Sequence, residues 1–206
     1  NNMLEYFLPL LTLCMIQSGT PGPNNIMLTA SGKNFGFIKT IPHMLGVVLG
    51  YLTLLTVLGL GLITIFEQYP IVQEILKYIG ACYLLYLAYR IYSSGNNDDP
   101  SKSRPFTFIE ITLFQYVNPK GIMMGITSIS IYTDFQNYEF INSFFEGMMF
   151  IFLSYTIANI IAVVSWTTIG VTLDSFIKSN KAIKRFNTIM AILLVLTIGL
   201  IFSDFS

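Results

Sequence analysis

The sequence predicts an all-α integral membrane protein with six transmembrane helices in one domain, residues 3–206. Of its 206 residues, 53% are hydrophobic and 11% are charged, whereas about 25% of the residues of a soluble domain are charged. Apolar stretches of about 20 residues, the helical length that crosses a hydrocarbon core of ~30 Å, follow one another along almost the whole chain. The formal net charge of zero argues against a nucleic-acid-binding domain, because such a domain is basic.

The apolar stretches define the spans in order. Glu5, and not a lysine or arginine, precedes the first stretch, and no small-residue cleavage site follows it. We therefore expect this stretch to stay in the membrane as a helix and not to be removed as a signal peptide. The predicted spans cover residues 4–31, 37–66, 71–92, 108–132, 140–173 and 181–202.

A polar linker divides the chain near its middle. Residues 95–104 combine glycine, asparagine, aspartate and proline without an apolar partner, which is typical of a loop. Three spans precede the linker, in residues 3–94, and three follow it, in residues 105–206. Because an odd number of spans makes the two halves enter the membrane from opposite sides, we expect two inverted three-helix repeats, a plan of many secondary transporters.

The distribution of lysine and arginine predicts the orientation. The positive-inside rule places the first, third and fifth loops in the cytoplasm and both termini outside. The opposite side has only Lys77. Asp134 and Glu139, in the fourth loop, then face the exterior. The basic residues of the three cytoplasmic loops are Lys33, Lys39, Arg90, Lys102, Arg104, Lys178, Lys181, Lys184 and Arg185.

The first predicted span contains Gln-Ser-Gly-Thr-Pro-Gly-Pro-Asn-Asn, residues 17–25, which cannot form an uninterrupted helix. The two prolines lack the N–H groups that would bond carbonyls one turn earlier. Lipid offers those carbonyls no partner, so the break must face protein or a water-filled cavity. A plain proline kink is the structural alternative, but it would not require the adjacent amides at 24 and 25. The candidate binding residues of this break are Gln17, Pro21, Gly22, Pro23 and Asn24.

The fourth predicted span contains a second break, Asn118-Pro119-Lys120. Lys120 lies about twelve residues, roughly 18 Å, from either end of its span, too far for its side chain to reach an interface. An ionisable residue inside the membrane is a functional-site candidate, and we assign all three residues to the binding site. The alternative is a structural ammonium held by carbonyls freed around Pro119 or by a carboxylate such as Glu146.

The two breaks occupy equivalent positions in the two halves. The segment Pro-Asn-Asn-Ile-Met at 23–27 aligns with Pro-Lys-Gly-Ile-Met at 119–123. Paired interruptions are where transporters with inverted repeats place their binding sites. We therefore expect the breaks to lie side by side near the middle of the bilayer, with Asn24 and Lys120 lining one cavity.

Other polar or unusual residues have structural explanations. Cys14 and Cys82 lie in apolar stretches outside any CxxC pattern, so we expect buried free thiols and no metal site. His43 is predicted near the cytoplasmic end of its span as a surface or capping residue, with a proton relay as the alternative. Trp166 is predicted to belong to the core, with a pocket wall as the alternative. The pairs Gly46–Gly50 and Gly121–Gly125 predict close helix contacts.

On these residues the sequence resembles the LysE/RhtB family of amino-acid exporters. The resemblance rests on residues 17–24 with their Pro-Gly-Pro-Asn core, on residues 118–120, on Gly80 with the Tyr-Leu-Leu-Tyr-Leu run at 83–87, and on the six-span layout. It covers essentially the whole chain. Asn187 departs from the family, which often has glycine there, and we expect this to affect packing and not the site.

The resemblance implies an exporter of an amino acid or derivative, of the homoserine, threonine, leucine or lysine type, across a bacterial inner membrane. It also implies exchange of substrate for protons, no cofactor, and a lipid bilayer as surroundings; a homodimer is left open. Superfamily relatives export metal ions such as cadmium, but two cysteines and few acidic residues deep in the spans would leave a soft-metal site short of ligands.

Two other classes of protein are less favoured. An intramembrane enzyme would need a nucleophile and a base, or a metal pair, and the sequence has no HExxH motif; Lys120 would have to activate a serine such as Ser128 or Ser130. A channel or structural subunit would not require two proline-broken helices at equivalent positions.

We therefore expect alternating access around a fixed site. The unwound backbone near residues 21–23 and the amides of Asn24 and Asn118 would hold the substrate's ammonium and polar groups, while Lys120 would hold its carboxylate. The sequence leaves the proton carrier open among three residues, Glu110, Glu146 and His43.

Overall fold

The computed structural model describes residues 3–94, 103–134, 136–138 and 140–203. Within these ranges all regular structure is helical. A π-helical turn, Leu58–Leu62, joins α3 to α4. Most of the predicted linker, and Glu139 of the fourth loop, lie outside the described residues. The helices are α1 (Met3–Gly19), α2 (Pro23–Phe35), α3 (Phe37–Val57), α4 (Ile63–Gln68), α5 (Pro70–Ser94), α6 (Phe108–Val117), α7 (Pro119–Tyr132), α8 (Phe144–Phe176) and α9 (Asn180–Ser203).

Four helical stretches are long and apolar enough to cross a membrane, and two further apolar helices, α1 and α6, are shorter. This identifies a multi-pass membrane protein. The four long stretches are Phe37–Gln68, Pro70–Ser94, Phe144–Phe176 and Asn180–Ser203.

The predicted first and fourth spans are both interrupted at proline. α1 and α6 end just before Pro23 and Pro119, the first residues of α2 and α7. Proline suits the first position of a helix, because its fixed φ fits the helix and its missing N–H would have no acceptor there. The capping residues before them, Gly22 and Asn118, have extended backbone. Each predicted span is therefore two helices joined by a short extended segment.

The second and fifth spans differ from the prediction. Residues 37–66 do not form one continuous helix, because Gly61 has φ 138° and ψ −2° in a region that glycine adopts readily and other residues do not. The repeated glycines of the Leu-Gly-Leu-Gly-Leu segment signalled this kink. α8 begins at Phe144 and not at residue 140, because Ser143 caps the helix.

Two buried apolar clusters lie on either side of the breaks. The first contains Leu28 of α2 and Phe114 of α6, and the second contains Leu10 of α1 and Ile122 of α7. Each break therefore joins a helix of one cluster to a helix of the other. This arrangement leaves the polar residues of both breaks between two apolar layers.

Glycines allow the predicted close contact between α3 and α6. A Cβ atom on Gly46 would lie 2.8 Å from the carbonyl oxygen of Phe108, and one on Gly50 would lie 2.8 Å from the α6 backbone. A Cβ on Gly125 would lie 2.6 Å from Leu58, so α7 also packs closely on the end of the second span. The predicted close helix contact is confirmed for Gly46 and Gly50. Gly125 meets only the ends of side chains, and Gly121 has ordinary contacts at 3.4 Å, so close backbone approach is not seen for that pair within the ranges that the structure describes.

The contact between α2 and α8 is closer still. A Cβ on Gly32 would lie 2.4 Å from the carbonyl oxygen of Thr167, and one on Gly170 would lie 2.1 Å from that of Thr29. The sequence analysis missed this interface, because the two glycines are far apart in the chain. It fixes the helix that follows the first break against the longest helix of the bundle.

Asn187, where the sequence departs from the family, takes part in a buried polar contact. Its side chain is fully buried and exchanges two hydrogen bonds with Asn34 of α2, of 2.6 and 3.3 Å. The departure therefore affects the packing of α9 on α2, and Asn187 does not line either cavity described below.

Candidate functional site

The two helix breaks are in direct contact. The ammonium of Lys120 donates to the carbonyl and to the hydroxyl oxygen of Thr20, each at 2.9 Å. The side-chain amides of Asn24 and Gln115 exchange two hydrogen bonds, of 2.9 and 3.1 Å. The structure thus places the two proline breaks side by side, as the sequence predicts.

The carbonyls freed at the end of α1 are bonded by side chains from elsewhere. Asn25 donates to the carbonyls of Ser18 and Thr20, at 2.9 and 2.8 Å. The indole N–H of Trp166 donates to the carbonyl of Gly19 at 3.2 Å. Because the last carbonyls of a helix lack partners within it, these bonds allow the segment to stay unwound among apolar helices.

Two adjoining cavities lie between the breaks. The inner cavity has a volume of about 30 Å³ and the outer one about 460 Å³. An inner cavity of this size holds one or two water molecules, whereas the outer one is in the size range of small-molecule pockets. Of the two cavities, only the outer one is therefore large enough for a small organic ligand.

All the residues assigned to the site from the sequence line these cavities. Asn24 lines the inner cavity together with Lys120, as expected, and Pro21 and Pro119 line the outer one. The residues that line both cavities are Gln17, Gly22, Pro23, Asn118, Lys120 and Met124.

Three buried polar groups at the inner cavity have no hydrogen-bond partner in the described part of the chain. They are the hydroxyl of Ser18, the side-chain oxygen of Asn118 and the side-chain nitrogen of Asn159. These residues are 8%, 2% and 6% exposed. An unsatisfied buried polar group costs about 1–3 kcal/mol, so their convergence indicates a place where water or a polar ligand binds.

Gln17 is held by a tyrosine that the sequence analysis did not identify. The hydroxyl of Tyr155 lies 2.5 Å from the side-chain oxygen of Gln17 and 2.8 Å from the hydroxyl of Ser128. Tyr51 packs edge-on against Tyr155, with ring centroids 4.9 Å apart, and donates to the carbonyl of Gly121 at 3.1 Å. With 12 tyrosines in the chain, nothing in the sequence distinguished these two.

Neither carboxylate proposed as a proton carrier lines a cavity. Glu110 forms ion pairs with Arg90 and Arg104, at 2.6 and 2.8 Å, and caps the start of α6. Glu146 accepts the backbone N–H of Asn142 at 2.8 Å. Glu146 is therefore not the partner of the membrane-embedded lysine, and the ammonium is held by the first break instead of by carbonyls around Pro119.

The predictions for His43 and Cys82 were wrong. His43 is neither a surface nor a capping residue: it is fully buried, packs edge-on against Phe106, and has no hydrogen-bond partner for its ring nitrogens within the described ranges. Both cysteines are free as predicted, but only Cys14 is buried, while Cys82 is exposed. Burial follows from helix rotation in the bundle, which an all-round apolar stretch does not reveal.

Trp166 is only partly buried, and its bond to the first break gives it a role that neither sequence interpretation included. Gln115 and Asn159 were also missed, although both are polar residues in apolar stretches and this was a usable signal. Among the described residues, no group of three or more His, Cys, Asp or Glu side chains could hold a metal ion.

Comparison with known proteins agrees with this geometry. A family model described as LysE type translocator matches residues 15–203. Cysteine/O-acetylserine efflux proteins of Escherichia coli (strain K12), Shigella flexneri serotype 5b (strain 8401) and Shigella sonnei (strain Ss046) are each 30% identical over 121 residues, 59% of this chain. These matches span 62% of each relative's length. No solved structure matches. Because the family model covers nearly the whole chain, with both helix breaks, the chain belongs to the family of LysE type translocators, which are transporters and not enzymes.

Proposed function

We propose that this protein is a secondary transporter that exports an amino acid or an amino-acid derivative across a bacterial inner membrane. The observation that carries the proposal is the contact between the two breaks, where Lys120 and the buried amides line a cavity of about 460 Å³ and its small neighbour. The similarity to cysteine/O-acetylserine efflux proteins supports an amino-acid type of substrate.

The proposed architecture is a single domain of six spans, formed by inverted repeats at residues 3–94 and 105–206. The broken helices α1–α2 and α6–α7 are the first span of each repeat. The helix contacts support this two-fold relation. α3 packs on its counterpart α8, and α5 packs on its counterpart α9. In addition, α1 contacts α8 in the same way that α6 contacts α3. The extensive contact of α2 with α8 has a much smaller counterpart between α7 and α3, so the two-fold relation is approximate.

The proposed orientation has both termini outside, following the lysine and arginine distribution. The outer cavity is lined by Thr127 of α7 and by Leu200 and Ile201 of α9, which lie toward the exterior ends of their helices in this orientation. On the cytoplasmic side, fully buried side chains such as Leu28 and Phe114 close the path. We therefore interpret this conformation as the outward-facing state of an alternating-access cycle.

The proposed binding mode uses the polarity of the site. The first N–H groups of α2 and α7 have no partner within their helices, and such helix starts attract anions. Together with Lys120 they would bind the substrate's carboxylate. The unpartnered oxygen of Asn118 and the carbonyl of Thr20 would accept from its ammonium. Binding would exchange the present partner of Lys120 for the substrate.

We propose that export is coupled to proton entry, with the proton carrier still to be identified. The described residues that line the two cavities include Lys120 and Tyr51 as ionisable side chains. A pH gradient, acidic on the side of the termini, should therefore accelerate substrate movement toward that side. Equal rates with and without the gradient would contradict antiport while leaving transport itself intact.

The purified protein in proteoliposomes provides the test of transport. Vesicles preloaded with an unlabelled amino acid should accumulate the same labelled one by counterflow, with cysteine, O-acetylserine, threonine, homoserine, leucine and lysine as the panel. Lys120→Ala protein, reconstituted at the same density, is the matched control. Failure of the wild-type protein to exchange any member of the panel would contradict the proposal.

A further inference from the structure

We infer that the transport site accepts amino acids with uncharged side chains and rejects those whose side chains are cationic, such as lysine and arginine. The inference rests on the proposed function and narrows it. The family resemblance allowed a lysine type of substrate, and the charges around the cavities now argue against that type.

Lys120 is the charged side chain at this site. Among the described residues that line the inner and outer cavities, it is the single charged one, and none is an aspartate or glutamate. A cationic substrate side chain would therefore meet a fixed positive charge and no carboxylate. Unlike the substrate's ammonium, which has the oxygens of Asn118 and Thr20 available, a second cation has no assigned acceptor.

The described acidic residues lie outside the lining of both cavities, and two of them are engaged in ion pairs. Glu110 is paired with two arginines, and Asp174 is paired with Lys33 and Lys178. Glu74 lines a separate groove, which shares Pro119 and Met123 with the outer cavity and also contains Lys77. Glu74 therefore adjoins the chamber through this groove, and Glu74 itself does not line either cavity.

The wall of the outer cavity is suited to an uncharged side chain. It is lined mainly by apolar side chains, together with Thr127, Thr197 and the uncharged amides of Gln17 and Asn118. Burying a charge without a partner is strongly unfavourable, and repulsion from a like charge in a low-dielectric chamber adds to it. The apolar lining side chains are Met123, Met124, Leu200 and Ile201.

Counterflow with the reconstituted protein tests the inference. Labelled lysine and arginine should exchange at least about tenfold more slowly than the best uncharged substrate of the panel, since desolvating an unpaired charge is worth more than one factor of ten. Exchange of lysine at a rate comparable to threonine or homoserine would overturn the inference and leave the proposed function standing. Exchange of no amino acid at all would overturn both.

Two charge variants test the physical cause. Thr197→Asp and Thr127→Asp each place a carboxylate in the outer cavity, from different helices, and should raise lysine exchange relative to the wild-type protein. The isosteric controls Thr197→Asn and Thr127→Asn should not. If both aspartate variants insert normally and still exchange an uncharged substrate, but neither gains lysine exchange, charge is not what sets the selectivity. If the wild-type protein exchanges lysine at a substantial rate and Glu74→Gln abolishes that exchange, Glu74 supplies a counter-charge to the substrate and the inference fails.

Discussion

Lys120 and Thr20 are 100 residues apart in the chain, yet the ammonium of one lies 2.9 Å from both oxygens of the other. The contact joins the cation of the second break to the unwound carbonyl of the first. Its partners are neutral, so the positive charge is solvated but not neutralised. Among the described residues Lys120 has no carboxylate partner, so the proposed substrate carboxylate would supply a counter-ion.

Substituting Lys120 should separate transport from folding. Lys120→Ala should abolish counterflow, while the amount of protein in the membrane stays close to wild type, because the remaining carbonyl contacts of the break come from Asn25 and Trp166. Lys120→Arg should also transport poorly, since a planar guanidinium does not replace a compact ammonium. Full transport by the alanine variant would remove Lys120 from the site.

Gly22 offers a more selective way to move the ammonium. A Cβ atom on Gly22 would lie 2.9 Å from Cδ and 3.0 Å from Nζ of Lys120, and the flexible lysine side chain is what would shift. Gly22→Ala should thus reduce counterflow by about tenfold, the scale of losing one charge-assisted hydrogen bond, with normal abundance.

The matched control is Gly19→Ala in the same break. A Cβ atom on Gly19 would have nothing within 4 Å, so this variant should transport like the wild type. Equal activity of both alanine variants would show that the position of the ammonium does not matter.

The buried Asn34–Asn187 pair should couple α2 to α9. Asn34→Ala leaves the fully buried amide of Asn187 without its partner, at a cost of about 1–3 kcal/mol, whereas Asn187→Ala leaves the half-buried amide of Asn34 unpaired at a smaller cost. Each single variant should lower the melting temperature in detergent, and the double variant should lose less than the sum of the two losses. Strict additivity in this double-mutant cycle would show that the two amides do not interact.

The proposed orientation is testable with single cysteines in a background in which both native cysteines, Cys14 and Cys82, are replaced by alanine. Cysteines at Asn96 and Lys181 should resist an impermeant thiol reagent in intact cells, because the lysine and arginine distribution places them in the cytoplasm. A cysteine at Asp134 should react and serves as the positive control. Labelling of the cysteines at Asn96 and Lys181 from outside would show that the orientation is opposite to the proposed one.

The sequence by itself determined the membrane class, the two helix breaks and the residues of those breaks that line the cavities. These features are local: an apolar stretch of about 20 residues has one stable environment, and a proline in mid-helix removes a hydrogen bond wherever the helix packs. The same argument placed Asn24 and Lys120 together, since freed carbonyls in a membrane need polar company. The sequence analysis missed the kink at Gly61 because it treated the Leu-Gly-Leu-Gly-Leu segment as part of a continuous apolar helix, although its repeated glycines are a local signal of a kink.

Tertiary structure alone decided which groups bond the freed carbonyls and where the remaining polar residues lie. The bond of Trp166 to the first break spans 147 residues, and that of Tyr155 to Gln17 spans 138; such pairs depend on how the helices rotate and pack. His43 is buried for the same reason. Composition and spacing describe each helix separately, but hydrogen-bond partners and exposure are properties of the packed bundle.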